Sequence, residues 1–165
     1  MKTDVTLTIY MSEVIYDIQN KTYLTGGSRR SADNFEQVAA MQAGDDDDQL
    51  NQVLRTVGNA VANLRAKISE YMPSGTSPST ADDILIAADK DIVLHLSMPA
   101  NYNTSANEAA ATGIHQYIVN TAVGEWFNIT DKADAAEYIQ MANANLFIIR
   151  EALGKRIRPE RKAVG

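Results

Sequence analysis

An apolar stripe between Leu50 and Tyr71 constrains the fold of this chain more than any other feature. Its members recur at alternating spacings of four and three: Leu50, Leu54, Val57, Val61, Leu64, Ile68 and Tyr71. This spacing places them on one face of an α-helix. The acidic run Asp45–Asp48 precedes the stripe, where carboxylates suit the positive end of the helix dipole. The stripe fits a bundle core or a subunit seam, and we favour the core.

Two shorter helices are predicted before this stripe. The first should begin with Ser12 as its N-cap and end at Gly26 or Gly27 as its C-cap. The second should cover residues 32–41, with Asp33 or Asn34 near its start.

Two long helices are predicted in the second half of the chain. The first should run from about Ser105 to Phe127, and the second from Thr130 or Asp131 to about Arg156. Pro159 should stop the last helix, because proline lacks the amide hydrogen and clashes with the preceding turn.

Strands are predicted where apolar and polar residues alternate. The stretch Val5–Tyr10 is one, and Ile84–Ile86 with Ile92–Met98 should form a hairpin that turns at 89–91. "PSGTSPST" (73–80) reads as a flexible loop. The fold class is therefore α+β, mostly α: three to four main helices with a small antiparallel β-hairpin or sheet. At 165 residues one core suffices, so we expect a single domain over 1–157.

Composition removes several classes of function. Without cysteine the chain has no disulfide, thiolate nucleophile or cysteine-bound zinc. "MKTDVTLTIYM" lacks the apolar core of a signal peptide, and no run approaches a bilayer-spanning length. We therefore expect a protein that is made and works in water, without a membrane anchor.

Motifs for catalysis, metals and cofactors are also lacking. His95 and His115 belong to no recognisable metal or nucleophile motif, and both are expected at a surface or interface. "TGGSRRS" lacks the spacing of a phosphate loop, and Asp45–Asp48 lacks the pattern of an EF-hand. We predict a non-enzymatic protein without a cofactor, a metal or a small-molecule substrate.

The last residues carry an unusual concentration of positive charge. Five bases and one acid occupy 155–162, a net +4, which leaves −10 on the rest of a chain whose total is −6. We predict an extended basic arm over 158–165 and an interface that uses Lys155, Arg156, Arg158, Pro159, Arg161 and Lys162. The arm has three candidate uses: docking onto an acidic neighbouring subunit, binding nucleic acid, or remaining solvated at the end of the helix.

Trp126 and Phe127 are the largest apolar side chains of the second half. They should anchor the core where the last two helices meet, and the alternative is an exposed interface. We favour the core.

Both ends of the chain resemble small virion proteins encoded in tailed phages and prophages of Bacteroides-type gut bacteria. The similar segments are "TLTIYMSEV", "TYLTGG" and "EWFNITDKADAAEYIQMANANLFIIREALGKRIRPER". They include Ser12, Glu13, Val14, Tyr23, Thr25 and Gly26 near the start. Near the end they include Trp126, Phe127, Thr130, Lys132, Ala135, Ala136, Tyr138, Arg156, Arg158 and Pro159.

The resemblance implies a structural virion protein in the head-to-tail connector, neck or upper tail. It implies a homo-oligomeric ring that contacts portal or tail subunits, with each copy extending a terminal arm to its neighbour. The expected location is the virion, and the host cytoplasm during assembly. An accessory protein that binds nucleic acid through the basic arm is the alternative.

Overall fold

The computed structural model describes residues 1–74 and 88–162 of the chain. Within these ranges the fold is α+β and mostly helical, with five α-helices and one two-stranded antiparallel sheet. The elements in chain order are β1 (Lys2–Ile9), α1 (Met11–Ser28), α2 (Phe35–Met41), α3 (Asp47–Lys67), β2 (Ile92–Pro99), α4 (Asn107–Thr130) and α5 (Lys132–Leu153).

The apolar stripe lies on α3 and faces the core of the chain. Val57, Leu64 and Ile68 are fully buried, whereas Leu50 and Tyr71, at the two ends of the stripe, are half-buried. The preference for an internal core therefore agrees with the packing of the single chain. The stripe extends beyond the end of α3 at Lys67, because a 3₁₀-helix follows over Ser69–Tyr71.

The predicted ends of α1 are wrong. The helix begins at Met11, with Tyr10 rather than Ser12 in the N-cap position, and the free N–H of Met11 donates to the Asp91 carboxylate, a residue distant in sequence, at 3.0 Å. Gly26 and Gly27 lie inside the helix, which ends at Ser28. Gly26 permits close approach to α2, because a Cβ there would lie 3.2 Å from the Val38 carbonyl oxygen.

The two strands pair although 82 residues separate Ile9 from Ile92, which face each other in the register. Their inward side chains are buried: Val5, Leu7, Ile9, Ile92, Leu94, Leu96 and Met98. The strand predicted at Val5–Tyr10 therefore pairs with the strand predicted at Ile92–Met98, the second of the expected hairpin. The intervening strand at Ile84–Ile86 lies outside the described residues, as does most of the predicted loop at 73–80.

Helix α4 is the centre of the molecule. Its residues 117–120 are all buried, because α1, α3, α5 and β1 surround it. It forms an antiparallel pair with α5, in which two glycines allow close approach. A Cβ on Gly113 would lie 2.9 Å from Ile149 Cγ1, and one on Gly124 would lie 3.0 Å from Ile139 Cγ1.

Helix α5 begins as predicted and ends earlier than predicted. The Asp131 side chain accepts a hydrogen bond from Ala133 N at 3.0 Å and caps the first turn. The helix ends at Leu153 with Gly154 as its C-cap, so Pro159 is not its stop signal. The chain leaves the helix there because it pairs with the segment after β2: Asn103 N donates to Lys155 O, and Ile157 N donates to Asn101 O.

The other bounds differ by a few residues. Helix α2 begins at Phe35 rather than Ala32, and α4 runs from Asn107 to Thr130, beyond the predicted end at Phe127. Among residues 1–74 and 88–162, no helix has the length and apolar character that crossing a membrane requires.

Candidate interface at the charged ends of the molecule

The basic C-terminal segment has two parts with different environments. Lys155 and Arg156 belong to the first part, which is held against the body by the backbone hydrogen bonds of residues 155 and 157. Arg156 Nη1 donates to Leu153 O at 2.9 Å, and Lys155 Nζ lies 3.0 Å from Glu151 Oε1. These two cations therefore sit at the carboxyl end of α5, where they complement its dipole.

The second part comprises residues 158–162. All five are exposed and lie in neither helix nor strand. Within the part of the chain that the structure describes, Arg158, Arg161 and Lys162 are therefore exposed and have no hydrogen bonds like those that hold Lys155 and Arg156. Pro159 lies among them, and its ring fixes the backbone φ angle at that position.

The C-terminal ends of α3 and α5 lie side by side. Arg150 Nη2 donates to Lys67 O, at 3.4 Å, across this contact. Positive side chains gather here, and four acids, Glu70, Glu108, Glu151 and Glu160, accompany them. We call this region the basic end; its cations, eight of the 15 in the chain, are Arg65, Lys67, Arg150, Lys155, Arg156, Arg158, Arg161 and Lys162.

The N-terminal ends of α3 and α5 lie at the opposite end of α4. Trp126 Nε1, near the end of α4, donates to Met41 O at 2.7 Å, which holds the segment leading into α3 beside the start of α5. We call this region the acidic end; its acids are Asp45, Asp46, Asp47, Asp48, Asp131, Asp134 and Glu137. Arg29, Arg30 and Lys132 are the cations nearby.

One acid of this end is buried and paired. Asp134 is 3% exposed at its side chain, and its two carboxylate oxygens accept from Arg29 Nη2 at 2.5 Å and Arg29 Nε at 3.3 Å. The hydrogen bonds and charge of Asp134 raise the pKa of the Arg29 guanidinium. This bidentate pair fixes the C-terminus of α1 to the first turn of α5.

Trp126 and Phe127 lie in the core at the acidic end. Phe127 is fully buried, and its ring centroid lies 5.5 Å from that of Tyr138. The Tyr138 hydroxyl lies 2.6 Å from Thr25 Oγ1. Trp126 is almost fully buried, and its indole N–H donates to the Met41 carbonyl oxygen. Both residues therefore hold the helix ends together and present no surface to a partner.

A polar network crosses the helices α1, α4 and α5, and sequence reasoning missed it. Lys21 Nζ donates to Asn120 Oδ1 at 3.0 Å and to Gln116 Oε1 at 3.3 Å, and Asn120 Nδ2 donates to Asn145 Oδ1 at 2.8 Å. Burial lowers the pKa of Lys21, against the opposing effect of Asp17. The signal was available: an amide inside the apolar run "YIVNTAV" needs buried partners.

No protein-family model, curated protein or solved structure matches this chain.

The two histidines occupy separate sites. His95 Nδ1 lies 3.2 Å from Thr6 Oγ1 on the outer face of the sheet, and His115 Nε2 lies 2.6 Å from Asp17 Oδ2 between α4 and α1. In the part of the chain that the structure describes, no three histidine or carboxylate side chains converge as metal ligands.

Proposed function

We propose that this chain is a non-enzymatic structural component of a tailed phage particle, in the head-to-tail connector, neck or upper tail. Copies assemble into a ring in which the basic arm of one copy docks onto the acidic end of the next. The observation that carries the proposal is the sorting of charge: cations gather at the carboxyl ends of α3 and α5, and acids gather at their amino ends. The resemblance of both ends of the chain to virion proteins is what supports the choice of a phage particle.

The charge arrangement favours contact between different ends of two copies. Two basic ends or two acidic ends repel, whereas a basic end attracts an acidic end. Such a contact is heterologous, and copies joined by it close into a ring when the rotation between them permits. The same polarity selects portal or tail subunits that present acidic surfaces to the arm.

The strength of arm docking is limited by solvent. Exposed ion pairs contribute about 0.2–1 kcal/mol each. Arg158, Arg161 and Lys162 together therefore supply about 0.6–3 kcal/mol, before loss of entropy in the ordered arm. Charge on the arm orients the neighbour and sets the dependence on salt, and apolar contacts must supply the remaining affinity.

A pair of matched variants tests arm docking. Arg158→Gln with Arg161→Gln removes two arm cations, and Arg55→Gln with Lys90→Gln removes two exposed cations of the body. Sedimentation velocity at about 50 and 500 mM salt, which shortens the screening length severalfold, should show weaker assembly for the arm variant and little change for the control. Unfolding temperatures should match, because the replaced side chains are exposed. Normal assembly of the arm variant would refute docking.

Nucleic-acid binding is the second candidate, and the exposed position of Arg158, Arg161 and Lys162 is the observation that favours it. Three phosphate contacts would give a log–log salt slope of about −2.7 for duplex DNA. Titration of the full chain with DNA at several salt concentrations measures this slope. Absence of binding, or binding without a salt slope, eliminates the candidate.

A further inference from the structure

A polar groove lies between the first half of α4 and the second half of α5. Its volume is about 480 Å³, and most of the side chains that line it are exposed to solvent. Gly113 lies at its base, at the close approach of α4 to α5. A volume of this size is in the range of small-molecule sites in proteins. We call it the α4–α5 groove, and six of its lining residues are Ser105, Glu108, Thr112, Gln116, Asn145 and Ile148.

A hydrogen-bond network sets the orientation of the two amides that line this groove. Lys21 Nζ donates to Gln116 Oε1 at 3.3 Å and to Oδ1 of the buried Asn120 at 3.0 Å. Because an ammonium group can only donate, both amides turn their oxygen towards Lys21. Asn120 then presents its Nδ2, which donates to Asn145 Oδ1 at 2.8 Å. The oxygens of Gln116 and Asn145 are thereby engaged inside the protein, which leaves their amino groups to donate to a molecule in the groove.

The rest of the lining supplies an acceptor, hydroxyl groups and an apolar surface. Glu108 places an exposed carboxylate in the groove two helical turns before Gln116, an axial distance of about 12 Å. Ser105 and Thr112 add hydroxyl groups, which both donate and accept. Ile148 adds an apolar side chain that is about half exposed. The groove therefore combines donors, acceptors and an apolar surface within reach of one small molecule.

Charged and apolar ligands match this lining poorly. Among the described residues that line the groove none is a cation, and Lys21 directs its ammonium group at protein amides, so an anion would approach Glu108 without a countercharge. A cation would meet the amino groups of Gln116 and Asn145. An apolar ligand would remove water from several polar groups without replacing their hydrogen bonds. A neutral ligand with hydroxyl groups that donate and accept, and with apolar C–H faces, satisfies each part of the lining.

We propose that the α4–α5 groove binds a neutral carbohydrate, a mono- or disaccharide. Hydroxyl oxygens of the sugar accept from the amino groups of Gln116 and Asn145. Another hydroxyl donates to Glu108, and a C–H face of a ring packs on Ile148. Lys21 is a positioning residue, because it acts through the amides and not on the sugar. This binding is separate from the ring assembly proposed above and does not depend on it.

Solution NMR of the full, isotope-labelled chain tests the assignment. Glucose, galactose, mannose, N-acetylglucosamine, maltose and lactose are each titrated to about 100 mM, well past a millimolar Kd. At least one sugar should shift the side-chain amide resonances of Gln116 and Asn145 and reach saturation. The amide of Asn143, an exposed residue of α5 outside the lining given above, should not shift. Sodium acetate is titrated in parallel. If no sugar shifts the two resonances, or if acetate does so and the sugars do not, the proposal is overturned.

Two pairs of variants separate recognition from stability. Glu108→Gln should weaken sugar binding about 5-fold, because a neutral acceptor replaces a charged one, and Glu36→Gln, at an exposed acid of α2, should bind as wild type. Lys21→Met removes the donor that orients the amides and should weaken binding about 10-fold. Lys21→Arg also only donates, so it should largely restore binding. Unfolding temperatures verify that each variant is folded during the titration. Wild-type affinity in folded Glu108→Gln or Lys21→Met, or equal losses in Lys21→Met and Lys21→Arg, would contradict recognition by the carboxylate and the oriented amides.

Discussion

Replacing Gly113 by alanine tests the close approach of α4 to α5. Alanine in place of a helical glycine normally stabilises by about 0.4–1 kcal/mol. At Gly113 the new Cβ would lie 2.9 Å from Ile149 Cγ1. Ile149 is fully buried, and its branched side chain is stiff at χ1, so it cannot turn aside cheaply. Overpacking of this kind costs about 1–3 kcal/mol.

Gly27 provides the matched control. It is also helical, and among residues 1–74 and 88–162 a Cβ there would meet nothing within 4 Å. Gly113→Ala should therefore be less stable than Gly27→Ala by about 1–3 kcal/mol, which corresponds to about 3–10 °C in unfolding temperature for a chain of this size. Urea unfolding and calorimetry measure the difference.

A second comparison makes the same Gly113→Ala substitution in a chain that already carries Ile149→Ala. Removing the Ile149 side chain should cost about 2–5 kcal/mol by itself, because it leaves a cavity. Gly113→Ala added to that background should then stabilise, since the clash is gone and the gain in helix propensity remains. Equal stability of Gly113→Ala and Gly27→Ala, or the same sign of effect in both backgrounds, would refute the described contact.

Two further predictions concern stability. Trp126→Phe should destabilise by about 1–3 kcal/mol in urea unfolding, because the buried Met41 carbonyl loses its donor; an unchanged midpoint would contradict the hydrogen bond. Burial raises the pKa of Glu125, against the hydrogen bond from Asn59. The folded state therefore binds more protons than the unfolded state between the unfolded and folded pKa values, so stability falls as pH rises through that window. Glu125→Gln should gain stability relative to wild type on passing from pH 4 to pH 7.5, and a constant difference at both pH values would show that Glu125 does not titrate in this way.

Local patterns carried much of the fold. The α3 stripe predicted its helix correctly because one face of that helix is buried and the other is exposed to solvent. The start of α5 was legible because Asp131 caps its own helix. Strand β2 was legible because its side chains alternate between core and solvent. In each case the signal and the structure lie within a few residues of each other.

The remaining errors arise from contacts between distant residues. Asp91 accepts from the first N–H of α1, and Asn101 and Asn103 form backbone hydrogen bonds with the chain just after α5. The central helix α4 shows little apolar periodicity because it is buried on several sides. Its sequence pattern therefore did not predict that the other helices pack around it. These partners are supplied by tertiary structure, and no local pattern contains them.

The candidate interface divides in the same way. The concentration of cations at 155–162 was visible in the sequence, but the division of that segment at Ile157 depends on its pairing with Asn101. The association of the arm with Arg65, Lys67 and Arg150 at one end depends on how α3 and α5 lie in the bundle. The exposure of Phe147 on α5 was not anticipated, because an apolar residue on a predicted helix is assigned to the core until its neighbours are known.

The helix directions explain why the two ends differ so much in charge. Helices α3 and α5 run in the same direction, each with acids in its first turn and bases in its last. Helix α4 runs the opposite way and places one acid, Glu108, in its first turn and no basic residue in its last, so it offsets the pattern by only one charge. Backbone dipoles contribute only about half a charge at each helix end, and with the opposite sign. Side chains therefore set the polarity of the molecule, and this polarity is attractive at every contact only in the head-to-tail arrangement that we propose for the assembly.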